Sequence, residues 1–224
     1  MIGFQPQFLD FRRGIRVGNL EDHERITRLL KLALEQRYGQ SFVTERWGRG
    51  VYWQWIGYLA RANREAKAVS NQASFGCAKF FLMMDTEEER FKCGMQVERG
   101  YITAPREHRH CQLAEDWDWH RLVRSLRADS AMAKELERLV RREEFWIDAG
   151  GESFYLAKYP GITAVRRALQ AAPKNHWAGF QLYYPMTHEE VRRSTGADLV
   201  ESMLAVFAEV TLAINLCMQI KIGD

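Results

Sequence analysis

A chain of 224 residues is long enough to bury about 70% of its unfolded surface in one core, so it requires neither disulfides nor a structural metal to fold. Apolar residues make up 46% and charged residues 27%, ordinary globular values that argue against long disordered stretches. The net charge of +3 hides a skew of 24 Arg against 8 Lys; guanidinium forks suit phosphate and carboxylate, but at so small a total charge codon bias is the plainer source.

Cys77, Cys93, Cys111 and Cys217 are widely spaced with no C-x-x-C, as expected of free thiols in a reducing compartment. Residues 4–9 are broken by Gln5, Pro6 and Gln7 and do not read as the apolar part of a signal peptide. Residues 210–220 contain Thr211, Asn215 and Gln219 and fall short of the roughly 20 apolar residues of a span. A cytoplasmic protein that does not enter a membrane is expected. No linker or repeat divides the chain, so residues 1–224 read as a single globular domain, with 1–17 as a loosely ordered lead-in.

Taken in chain order, a helix is predicted from near Asn19, with Ile26, Leu29, Leu30, Ala33 and Leu34 at helical spacing and Gly39 in the stop position. A second helix is predicted after Gly48 and Gly50, its apolar face carrying Val51, Trp55, Tyr58, Leu59, Ala62, Ala66 and Val69. Residues 75–84 are almost wholly apolar, as in a strand covered on both faces. After the acidic turn 85–89, Phe91, Cys93, Met95 and Val97 alternate with Lys92, Gly94, Gln96 and Glu98, the pattern of a half-buried strand and of a hairpin with its predecessor.

Residues 116–146 return to helix, with Asp116 as an N-cap and a break at Asp129-Ser130 that caps a second helix. A short strand over 154–159, a helix over 162–171 and a strand over 176–184 ended by Pro185 follow. Thr187 to Glu190 has capping-box spacing. The final helix, carrying Leu199, Val200, Met203, Leu204, Phe207, Val210, Leu216 and Ile220, is apolar over most of its circumference and is expected against the sheet. The fold class is α+β: a mainly antiparallel sheet with a central hairpin, packed against several helices that include a buried C-terminal one.

The hairpin residues Lys79-Phe80-Phe81-Leu82 and Phe91-Lys92-Cys93-Gly94-Met95, the Leu126-Arg127-Ala128-Asp129 segment, and residues 178–187 (Ala-Gly-Phe-Gln-Leu-Tyr-Tyr-Pro-Met-Thr) together resemble a group of uncharacterised bacterial proteins sharing a domain of unknown function. The likeness covers residues 75–190 and implies no activity and no site residue.

Three groups of residues carry chemistry. His108, His110 and Cys111, followed by Asp116, Asp118 and His120, are metal-capable; imidazole, thiolate and carboxylate are the ligands of Zn²⁺ and similar ions, so a divalent metal and a metal-dependent hydrolase are one reading. The spacing matches no established motif, and a polar loop leading to a helix with an acidic first turn is the plainer reading. Arg46, Trp47, Arg49 and Trp53 interleave guanidinium groups with aromatic faces, as a surface for single-stranded nucleic acid or another anionic or macromolecular partner does. Packing in an amphipathic helix is the alternative. Asp148, Glu152 and Lys158 have the flavour of a metal-dependent nuclease, though acidic residues beside Gly150-Gly151 also suit a turn. No G-x-S-x-G, Walker or G-x-G-x-x-G motif occurs, so no cofactor is evident. Self-association into a homo-oligomer stays open.

Overall fold

The computed structural model of the chain describes residues 3–67, 75–113 and 117–223. A 3₁₀ turn at Pro6–Phe8 comes first, then two short strands, β1 (Leu9–Asp10) and β2 (Gly14–Arg16), paired through Leu9↔Ile15. The N-terminal residues are no loose lead-in. Phe4, Phe8, Leu9, Phe11, Ile15 and Val17 are all buried, and strands this short are too brief to reveal a period of two in the sequence.

Helix α1 (Ile26–Tyr38) begins later than its apolar spacing suggests, because Asn19 is left-handed (φ 54°) and turns precede Ile26. It stops at Gly39, whose φ of 63° and N–H bond to the Glu35 carbonyl form the left-handed cap that glycine accepts without a Cβ clash.

β3 (Phe42–Arg49) and β4 (Tyr52–Ala60) then form a long hairpin, from Phe42↔Ala60 to Arg49↔Tyr52, with a bulge between Trp47 and Gly48. The helix predicted over 51–69 is therefore a strand up to Ala60, followed by the single turn of α2 (Arg61–Glu65); Val69 lies outside the described residues. Residues 56–60 are all buried, so both faces are apolar and the alternation that marks a strand is erased.

The predicted central hairpin is present as β5 (Lys79–Asp85) and β6 (Arg90–Gly100), in the register Phe80↔Met95, Leu82↔Cys93 and Met84↔Phe91. Helices α3 (Asp118–Ser125) and α4 (Ala131–Arg142) follow, and Ser130 Oγ accepts the Ala133 N–H at 3.0 Å as the α4 N-cap. β7 (Trp146–Ala149) and β8 (Glu152–Phe154) pair across the Gly150-Gly151 turn; the strand predicted over 154–159 gives way after Phe154 to a 3₁₀ turn at Leu156–Lys158. Helix α5 spans Ile162–Ala171.

β9 (Ala178–Thr187) lies between β6 and β7 and runs through Pro185 rather than stopping there. Pro185 sits opposite Lys92 and past the last β7 pair, Trp146↔Tyr183, where a missing donor interrupts no β7 bond. Gly94, opposite Tyr183, is required by the closeness of β6 and β9: a Cβ there would lie 2.0 Å from the Leu182 carbonyl oxygen.

Helix α6 (His188–Arg193) starts at a capping box between Thr187 and Glu190, and α7 (Gly196–Glu209) at another between Thr195 and Asp198. The single final helix expected is two: α8 (Thr211–Cys217) continues from α7 after a 44° bend, and Ile220 lies beyond its end and is exposed. Among the described residues no single helix is long and apolar enough to cross a membrane.

All strand pairs are antiparallel and form one sheet, in the order β1-β2-β4-β5-β6-β9-β7-β8 with β3 on the free side of β4. The helices pack together and against one side of it: α7 on β6, α1 on β3 and α7, α5 on β7 and β9, and α8 against α3 and α4. Phe207 of α7 is the centre of this layer, 4.8 Å from the Phe80 ring and 5.9 Å from Tyr58, all fully buried. Each such side chain contributes about 1.5–3 kcal/mol by leaving water, which makes α7 against the sheet a principal source of stability.

The opposite sheet face carries polar chemistry. Strand alternation puts Lys79, Phe81 and Met83 of β5 there, opposite Gln96, Gly94 and Lys92 of β6, with Trp55 and Gly57 from β4 and Tyr183 and Gln181 from β9. Although the sequence pattern leaves Lys92 and Gln96 on a solvated face, each is only 4% exposed.

Candidate functional site

The β3–β4 hairpin distributes the four aromatic and basic candidates over two faces. Arg46 pairs with Ile56, and its guanidinium lies 3.9 Å from the Trp53 ring centroid, so these two share the face turned toward α1. Trp47 pairs with Trp55 on the other face and is 70% exposed. Arg49, exposed near the hairpin tip, pairs with Tyr52, whose ring carries Arg13 at 4.4 Å. Among the described residues β3 has a partner on one side only, so all of this lies along a free sheet edge.

Between that edge and the start of α1 runs a groove of about 380 Å³. Arg25, Arg28 and Lys31 from the helix and Arg46 from the strand line it, with Asp22 as its one carboxylate, and Trp53 forms part of the wall. Asp22 lies 3.2 Å from Arg25 and 3.8 Å from Arg28, while Lys31 is 3.8 Å from Glu35. The Asp22–Arg28 pair joins exposed side chains and is worth little in water, so an incoming anion competes with it readily, whereas Arg25, Lys31 and Glu35 are partly buried. α1 contributes cations here because its turns bring residues 25, 28 and 31 to neighbouring positions on one side. Arg46 and Trp53 were legible as candidates; the helix cations were not, since their approach to β3 is a tertiary fact.

The described metal-capable residues sit in different surroundings. His108 is exposed, its ring parallel to Tyr101 at 5.8 Å. Cys111 is 8% exposed and packs in an apolar cluster with Phe75 and Trp117, and burial raises its thiol pKa. His120 is partly exposed on α3. Asp116 lies outside the described residues, as does the side chain of His110. Among the described residues no three His, Cys, Asp or Glu side chains come together to hold a metal. Asp118, from the same stretch, is fully buried and bonded to Asn63 and Lys67, which gives it a structural task.

Asp148 takes its lysine from elsewhere than the sequence suggested. Lys158 and Glu152 are exposed, whereas Asp148 lies 3.3 Å from Lys92 and accepts the Ser153 hydroxyl at 2.7 Å. Lys92 also meets Asp85 at 2.9 Å and Glu88 at 3.2 Å, with the Tyr183 ring 4.9 Å away. Burial works against the Lys92 charge, but Asp148 and Asp85 outweigh it and raise its pKa. Burial, then the Asp148 charge, pushes the Tyr183 hydroxyl up as well.

A second buried lysine sits further along this face. Lys79 lies 2.8 Å from Glu98 and 3.7 Å from Glu45, below the Trp55 ring, and the two carboxylates raise its pKa against the opposing effect of burial. Between the two lysines, Gln96 Oε1 accepts N–H groups from Trp55 at 3.0 Å and Gln181 at 2.8 Å. The alternation of β6, polar at Lys92, Gln96 and Glu98, is the available signal, though it does not say that Lys92 and Gln96 are buried.

No protein-family model matches the chain, and a comparison with curated proteins finds none similar to it.

Proposed function

We infer that this chain is a binding protein for an anionic partner, seated in the groove between α1 and the β3–β4 edge, and that the partner is single-stranded nucleic acid. One observation carries the reading: four cationic side chains face a single carboxylate in a groove that has an arginine stacked on a tryptophan in its wall. The cations suit phosphates spaced along a backbone. Trp47, exposed on the far side of the same edge strand, offers a face for an unpaired base. A single strand lying along the edge reaches both, since neighbouring residues of β3 project to opposite sides. Phosphate contacts of this kind fix the chain without reading its sequence, so weak sequence preference is expected.

Fluorescence anisotropy with a labelled single-stranded oligonucleotide tests this at about 50 and 200 mM salt. Binding that weakens steeply with salt, and weakens further in Arg46→Ala and Trp47→Ala, supports the reading. An oligonucleotide that fails to bind at the lower salt concentration removes it.

A further inference from the structure

The polar sheet face holds a second recess, of about 240 Å³, well away from the α1 groove; Gln96, Gln181, Glu98, Asp148 and Trp177 line it, and glycines 150, 151 and 179 complete the wall. We propose that this recess binds a small neutral polyhydroxylated ring, a monosaccharide or cyclic polyol.

Gln96 is only 4% exposed. Its Oε1 accepts two N–H groups, from Trp55 and Gln181, and turning the amide over would set N–H against N–H, so its orientation is fixed. Among the described residues Nε2 has no protein acceptor, and it reaches solvent, so its two N–H groups are offered to an occupant on a side chain that borders the recess. Gln181 is oriented in the same way: its Nε2 donates to Gln96 Oε1 and toward Met83 Sδ, which leaves Oε1 as an acceptor at the same wall. The site therefore presents donors and an acceptor side by side, the pattern that a hydroxyl group, itself both donor and acceptor, completes.

Charge selects a neutral ligand. Glu98 is held by Lys79 at 2.8 Å, and Asp148 by Lys92 at 3.3 Å and Ser153 at 2.7 Å. A cation entering the recess meets carboxylates that already hold an ammonium group, with those ammonium groups behind them. An anion meets the carboxylates directly. Hydroxyl groups use the lone pairs that remain. Trp177, 44% exposed, supplies an indole for the apolar side of a ring, and the glycines let that ring approach the backbone.

Isothermal titration calorimetry with D-glucose, D-galactose, D-mannose and myo-inositol tests the proposal, with glucosamine and glucuronate as charged counterparts. At least one neutral compound is expected to bind with a dissociation constant of about a millimolar, as a dozen heavy atoms allow. Trp177→Ala, at an exposed position, is expected to weaken that binding about fivefold, and Gln96→Met about tenfold. The proposal is overturned if none of the four neutral compounds binds, if a charged counterpart binds more tightly, or if Trp177→Ala leaves the affinity unchanged.

Discussion

Lys67 and Asp118 form an ion pair of 3.1 Å with side-chain exposures of 1% and 0%. Both charges are fully satisfied. Asp118 also accepts from Asn63 Nδ2 and the Ala78 N–H, each at 2.7 Å, and from the Gln219 N–H at 3.0 Å. Lys67 donates to the Asn63 carbonyl and side-chain oxygens, and Asn63 Oδ1 in turn accepts the Ile220 N–H. One buried knot thus joins the end of α2, the approach to β5, the start of α3 and the segment after α8. Removing one charge strands the other in the core. Asp118→Ala is expected to lower stability by about 3–5 kcal/mol in urea titrations, and the double variant Lys67→Met/Asp118→Leu to lose less than the single one. Equal or greater loss in the double variant contradicts the assignment.

Acid should act on the turn between β5 and β6. Burial pushes the Asp85 carboxyl up, but N–H bonds from Glu88 and Glu87 and the Lys92 ammonium outweigh it and hold the pKa below the ordinary 3.8. A depressed carboxylate adds stability above its unfolded pKa and loses it as pH falls through the lower folded value. The stability difference between the wild type and Asp85→Asn is therefore expected to be full at about pH 6 and to shrink below about pH 4. Urea midpoints measured across that range check it; a difference independent of pH argues against the ion pair.

The four cysteines are buried free thiols. Burial pushes Cys77 up to about 11 and raises Cys93, Cys111 and Cys217 as well. A thiol reagent needs the thiolate and access to it. The native protein is expected to be unreactive toward Ellman's reagent at about pH 8, with all four groups reacting in denaturant. Fast labelling of the native protein contradicts the packing around them.

An element is legible in the sequence where one face is polar or its ends carry a cap. β6 declares itself because Phe91, Cys93, Met95 and Val97 alternate with polar residues, and α6 and α4 because Thr187 and Ser130 are caps. β4 does not, because its residues 56–60 are buried on both faces, so that a strand and a helix leave the same trace. Nor does the N-terminus, where burial of Phe8 and Ile15 depends on β4 and α6 arriving from later in the chain. The candidate site was half legible. Arg46 and Trp53 announced themselves, but Arg25, Arg28 and Lys31 look like any solvated helix face until α1 is laid beside β3. Lys79 and Lys92 escaped notice for the opposite reason: nothing local distinguishes a buried lysine from a solvated one.

The salt dependence of oligonucleotide binding tests the basic groove most directly. For a single strand the logarithm of the affinity falls against the logarithm of salt concentration by about 0.7 for each phosphate neutralised. If Arg28 and Arg46 each hold a phosphate, Arg28→Ala and Arg46→Ala will each flatten that slope by roughly this amount, and the double variant by about twice as much. Variants that bind as tightly as the wild type, with the same slope, would place the anion elsewhere and contradict the assignment.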